Sequence, residues 1–72
     1  MPYAGRADLS PSLQRRLPMH AQDIHYNAFN NAWTSYRRRA DRQAVGHRVA
    51  WAAVKRPYRR DGDRWVRRTS LG

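Results

Sequence analysis

Between residues 21 and 36 the apolar side chains recur at helical spacing. Ala21, Ile24, Ala28, Phe29, Ala32, Trp33 and Tyr36 share one half of a helical wheel, while Asp23, Asn27, Asn30, Asn31, Thr34, Arg37 and Arg38 fill the other. The pattern predicts an amphipathic helix that opens at Pro18, carries Asp23 near its positive end and runs to about residue 39.

Flanking signals predict two more helices. Ser10 followed by Pro11 pairs a hydroxyl N-cap with a proline that has no N–H to satisfy, so a short helix over about 11–17 follows, with Leu13 and Leu17 on one face and Pro18 ending it. Asp41 is a natural N-cap for a third helix to about Arg56, stopped by Pro57. Within it Val45, Val49, Ala52 and Ala53 make one face, and Ala50, Val54 and Trp51 continue round the other side. Only a wedge at Arg48 and Lys55 is polar, so this helix is expected to be buried on most sides. Gly46 inside it costs about 1 kcal/mol relative to Ala.

After Pro57, Asp61-Gly62 reads as the two-residue turn of a hairpin. That register sets Tyr58 opposite Trp65, Arg60 opposite Asp63, and Arg59 opposite Arg64, an unfavourable pair unless an anion neutralises it. The opening "MPY" is a candidate third strand, because two strands alone are marginal. The expected architecture is therefore mainly α. Residues 1–68 form one compact three-helix domain with a small C-terminal β-hairpin, and 69–72 form a loose tail.

With 72 residues the chain holds one domain, and without cysteine it has neither disulfides nor thiolate chemistry. The longest apolar run, residues 49–54, falls far short of the roughly 20 residues of a membrane span, so no membrane insertion is expected. No N-terminal segment reads as a signal peptide, and a cytoplasmic protein is the plain expectation. Fifteen basic residues face five acids, giving a formal net charge of +10. All bases but Lys55 are arginines, whose forked donors match phosphate. A pI near 11.6 is the electrostatic footprint of a polyanion binder.

The charge gathers in two places. Arg37, Arg38, Arg39 and Arg42 run from the second helix to the third and read either as a phosphate clamp or as a solvated helix end. Three consecutive arginines exceed what a helix dipole needs, which favours the clamp. Arg59, Arg60, Arg64, Arg67 and Arg68 mark the hairpin and tail, either as groove-following contacts or as a charged edge that blocks aggregation. Arg48 and Lys55 form a rim on the third helix, with Trp51 beside it. His20, His25 and His47 lack metal-ligand spacing, and His25, inside the apolar arc, is expected to be buried and hydrogen-bonded. Phe29, Trp33, Tyr36, Trp51, Tyr58 and Trp65 are expected chiefly in the core, with base stacking as the alternative. Without Cys, Glu, a Gly-rich phosphate loop or a nucleophile motif, no catalytic residue, metal or cofactor is assigned and an enzyme is not expected.

The segments "MPY", "LP", "HAQDI", "AFNNAW" with Tyr36 three residues on, "HRVAWAAVK", and a Tyr and "DG" followed by Trp resemble the ChaB family in order and over almost the whole chain. The resemblance implies a compact three-helix domain with a small β element. It also implies a link to cation transport, since the family takes its name from a gene beside a cation/proton antiporter; some members are described as DNA-binding. This chain departs from the family where "RRRADRQAVG" stands in place of an acidic, longer connection, and where His25 replaces the usual Tyr. The reading from charge is a small basic protein that binds DNA, duplex favoured, mostly without sequence specificity and through Arg–phosphate contacts. The alternative is a regulatory interaction module acting on a cation transporter. A monomer or weak homodimer is expected in either case.

Overall fold

The computed structural model describes residues 3–68. Its elements are a 3-10 turn at Arg6–Asp8, helices α1 (Pro11–Arg16), α2 (Met19–Ser35) and α3 (Arg42–Lys55), and strands β1 (Tyr58–Asp61) and β2 (Arg64–Arg67). Ser10 caps α1 as its sequence predicts, its hydroxyl accepting the Leu13 N–H at 3.2 Å. The far end of α1 is closed by a residue the pattern did not single out. The buried Gln22 side-chain amide donates to the carbonyls of Leu17 at 2.8 Å and Gln14 at 3.1 Å, which satisfies acceptors a helix end leaves free.

The helix α2 stops at Ser35, four residues before the expected end. Beyond it Tyr36, whose N–H still reaches the Ala32 carbonyl, leads into a turn in which the Arg39 N–H bonds the Tyr36 carbonyl. Tyr36 is therefore 42% exposed rather than part of the buried face, and the arginine run lies in the connection instead of the last helical turn. Asp41 holds the N-cap position of α3 by its backbone, its carbonyl accepting from Val45, but its side chain does not cap. Its carboxylate is taken side-on by Arg39, through Nε at 2.9 Å and Nη2 at 3.1 Å, a forked geometry stronger than a single cap bond.

Helices α2 and α3 pack along Phe29. Its ring is 1% exposed, Trp33 stacks on it at 5.8 Å, and Tyr3 and His47 lean on it at 4.9 Å each. Gly46 lets the ring approach the α3 backbone, since a Cβ there would meet two Phe29 ring carbons at 2.7 and 2.8 Å. At the other end of the helix pair Leu17, Ala21, Val54 and Tyr58 form a second buried cluster, with Leu13, Ile24, Trp51 and Trp65 packed against it. The outer face of α3 is more open than its composition suggests, because no element among the described residues covers it. Arg48, Val49, Ala52, Lys55 and Arg56 are exposed, leaving the helix buried on one side only.

The hairpin forms, with its register moved by one residue on each strand. Asp61 pairs with Arg64, Arg60 with Trp65, Arg59 with Val66 and Tyr58 with Arg67, so Gly62-Asp63 is the connecting pair. Among the described residues only Gly62 has a positive φ, +65°, the sign pattern of a type II′ turn, whereas the expected turn also asks Asp61 to adopt one. The shift also replaces the Arg59–Arg64 repulsion with an Asp61–Arg64 attraction. Tyr58 and Trp65 keep their common face but sit diagonally.

The sheet has two strands among the described residues. Tyr3 does not extend it: its N–H donates to Asn30 Oδ1 and its carbonyl accepts from Asn30 Nδ2, both at 2.8 Å, which clips the N-terminal segment to α2. Met1 and Pro2 of the candidate third strand, and the expected tail at 69–72, lie outside the described residues.

Helix propensity alone favours Gly46→Ala by about 1 kcal/mol. The Phe29 contact reverses the sign. The variant is expected to unfold at lower denaturant, with a loss of about 1–3 kcal/mol measured by urea titration.

Candidate functional site

The ends of α1 and α3 and the hairpin enclose a cleft of about 450 Å³. Trp51 and Trp65 lie stacked beside it, ring centroids 5.3 Å apart at 29°, and Leu13 adds a third apolar contact. Five cations surround these groups: Arg16 from the last turn of α1, Lys55 from the end of α3, Arg59 and Arg60 from β1, and Arg68. Asp63, at the turn, is the only carboxylate among the lining residues.

Two of the arginines are held from behind. Arg60 Nε donates to the Gly62 carbonyl at 3.1 Å, and Arg68 Nε to the Lys55 carbonyl at 2.8 Å. The Arg68 bond also satisfies an acceptor at the α3 C-terminus. Each bond spends Nε and leaves the paired Nη groups without a hydrogen-bond partner among the described residues, an arrangement that suits forked recognition of carboxylate or phosphate. A smaller groove of about 250 Å³ adjoins, where Arg15, Arg16 and Arg64 surround Leu17, Pro18 and Trp65.

Of the residues singled out from the sequence, Lys55, Arg59, Arg60 and Arg68 meet in the cleft. Arg64 borders the neighbouring groove. Arg67, though exposed, turns to its neighbours instead: its guanidinium lies 5.8 Å from the centre of the Tyr58 ring and its Nη1 is 3.3 Å from His20 Nδ1. Arginine only donates, so this contact needs Nδ1 unprotonated, and the Tyr58 hydroxyl at 3.1 Å then donates to the same nitrogen. Arg16 was not singled out, because its place in the cleft depends on how α1 folds against the hairpin rather than on any local pattern.

The other cluster is separate. Arg37–Arg39 precede α3 and Arg42 opens it, whereas the hairpin follows its end, about 20 Å away along a 14-residue helix. The cluster's four arginines are not equivalent. Arg39 is bound to Asp41, whose carboxyl it holds below the usual range. Arg42 lies over the Trp33 ring at 3.7 Å and donates to the Arg37 carbonyl at 3.2 Å. Arg37 and Arg38 are exposed, as is Arg48 further along α3. Across the molecule, ion pairs among the described residues engage only Arg6, with Asp23 at 3.3 Å, and Arg39.

No group of three or more potential metal ligands occurs among the described residues. His25 and His47, distant in sequence, come within 6.4 Å. His25 is fully buried, edge-on to Trp51 at 4.9 Å, and neither ring nitrogen has a hydrogen-bond partner among the described residues. The expected hydrogen bond is absent among the described residues: the Tyr3 and Trp51 rings that pack on His25 offer no acceptor there.

These features define a small basic module of three helices and a hairpin, its exposed chemistry consisting of arginines arranged around aromatic rings. The chain belongs to the ChaB family, whose model matches residues 9–68. The putative cation transport regulator ChaB of Escherichia coli K12 is 43% identical over 76 aligned residues, covering 96% of this chain and all of that protein. The same name and the same identity and coverage hold for the Shigella flexneri relative. The NMR solution structure of the putative cation transport regulator ChaB superposes with a TM-score of 0.81 at 43% identity, over 94% of this chain and all of that one. Among the described residues no helix is long and apolar enough to cross a membrane.

Burial, and secondly the charge on His47, push the His25 pKa from 6.5 down to about 4. The unfolded ring takes a proton as pH falls through 6.5, while the folded ring stays neutral until about 4. The stability His25 contributes is therefore complete above 6.5 and lost on acidification through that window, by on the order of 3 kcal/mol. Urea midpoints measured from pH 7.5 to 4.5 should fall steeply for the native chain and more shallowly for His25→Phe.

Proposed function

We propose that this protein is a non-catalytic regulator of cation transport that acts by contact between its basic surface and an acidic segment of a transporter. The family's named role supports the reading. The observation that carries it is the open face of α3, where exposed Val49 and Ala52 are flanked by Arg48, Lys55 and Arg56, none of them paired with a carboxylate among the described residues. Such a face offers an apolar strip for a partner helix or loop and demands negative charge at its edges. All of it lies within the stretch that the family model matches.

Nucleic acid is the second reading, favoured by Arg37 and Arg38, which stand exposed at the α2–α3 connection and without carboxylate partners among the described residues. Contacts there would go to backbone phosphates and carry little sequence information.

The first reading is tested in inside-out membrane vesicles from cells lacking the protein, with cation/proton exchange followed by a pH-sensitive dye. Purified protein should change the exchange rate, and the double variant Arg48→Glu, Arg56→Glu should not, at an unchanged thermal midpoint. No change at saturating native protein rejects this reading. The second is tested by titrating a mixed-sequence duplex at increasing salt. Affinity should fall log-linearly with salt, and Arg37→Ala or Arg38→Ala should each lower the slope by about 1, more than Arg39→Ala does. Binding that is missing at low salt, or insensitive to salt, rejects it.

A further inference from the structure

The cleft beside the hairpin combines two features that simple charge does not require together. Its apolar part is a stacked tryptophan pair, both rings half-buried, with Leu13 at their side. Its charged part is five cations against one carboxylate, and at least Arg60 and Arg68 are anchored so that their terminal nitrogens remain free. An inorganic anion would use the cations and leave the indoles idle. A purely apolar ligand would bury uncompensated guanidinium groups, which is costly. A ligand with a planar ring at one end and several negative charges at the other uses both. The cleft volume lies within the range of about 300–1,000 Å³ typical of sites for single small molecules.

We propose that this cleft binds a nucleotide-class ligand, with its base stacked on the Trp51–Trp65 pair and its phosphates held by Arg16, Lys55, Arg59, Arg60 and Arg68. Stacking on indole is tolerant of base identity because every base presents a π-face, so the site selects for a phosphorylated base more than for a particular one. Anchored arginines supply forked donors to the phosphate oxygens. The excess of four positive charges in the lining matches a nucleoside triphosphate better than a nucleoside. The inference rests on the cleft, which shares only Lys55 with the α3 face, and the transporter test alters Arg48 and Arg56, which lie outside the cleft, so the two readings fail separately.

The experiment is a two-dimensional NMR titration of the full chain with ATP, adenosine, inorganic tripolyphosphate and an acidic peptide free of aromatic residues. ATP should shift the indole N–H signals of Trp51 and Trp65 saturably and leave that of Trp33 in place. Its affinity should exceed those of adenosine and tripolyphosphate by at least about tenfold, because only ATP engages both halves of the site. The double variant Arg59→Gln, Arg60→Gln should weaken ATP binding by about tenfold or more while preserving the rest of the spectrum. Arg16→Gln, on a different element, gives a second reading should the strand variant disturb the hairpin. Equal affinity for ATP and tripolyphosphate, tighter binding of the acidic peptide, or shifts centred on Arg37–Arg42 would each overturn the proposal.

Discussion

The arrangement depends on one close approach, the Phe29 ring against the α3 backbone at Gly46. A side chain as small as methyl at that position would collide with the ring. Because the helices can come this near, Trp33 stacks behind Phe29, Arg42 covers Trp33, and Tyr3 finds both Phe29 and the Asn30 amide. A chain with so many cations and so little core has few ways to obtain this much contact. Burying one large aromatic side chain contributes roughly 1.5–3 kcal/mol, a large share of a small domain's margin.

The helices were legible in the sequence because their signals are local. Ser10-Pro11, the three-and-four spacing of 21–36 and the stop at Pro57 each act within a turn or two of themselves. The hairpin was legible as an element but not in register. Asp-Gly marks a turn, yet which two residues form its corner was decided by backbone sign at Gly62 and by the charges facing across the strands. The end of α2 was missed for a related reason: Arg37–Arg39 are good helix formers, but Asp41 recruits Arg39 and Arg42 reaches back to the Arg37 carbonyl, which stabilises a connection there.

The candidate site was half legible. Positive charge announces itself in composition, and four of the predicted cations do converge. Their convergence on Trp51 and Trp65, with Arg16 arriving from α1, is a product of tertiary packing that no spacing rule encodes. The same holds for His25 and His47, and for Gln22, whose value lies in carbonyls belonging to another helix. The structure also divides what charge counting merges. The α2–α3 connection and the hairpin are at opposite ends of α3, joined by the exposed strip of Arg48, Ala52 and Lys55, so a long partner would have to lie along the helix to touch both.

The bond from Arg68 to the Lys55 carbonyl closes the end of the hairpin onto the end of α3. The cleft it completes draws on segments from Leu13 to Arg68, nearly the length of the described chain. Cations crowded on such a small frame repel one another, so the fold carries an internal pressure at that corner. An anion seated there would relieve it and hold three elements together. Occupancy and folding are thereby linked quantities: whatever binds the cleft also tightens the protein, and loosening the hairpin releases what is bound.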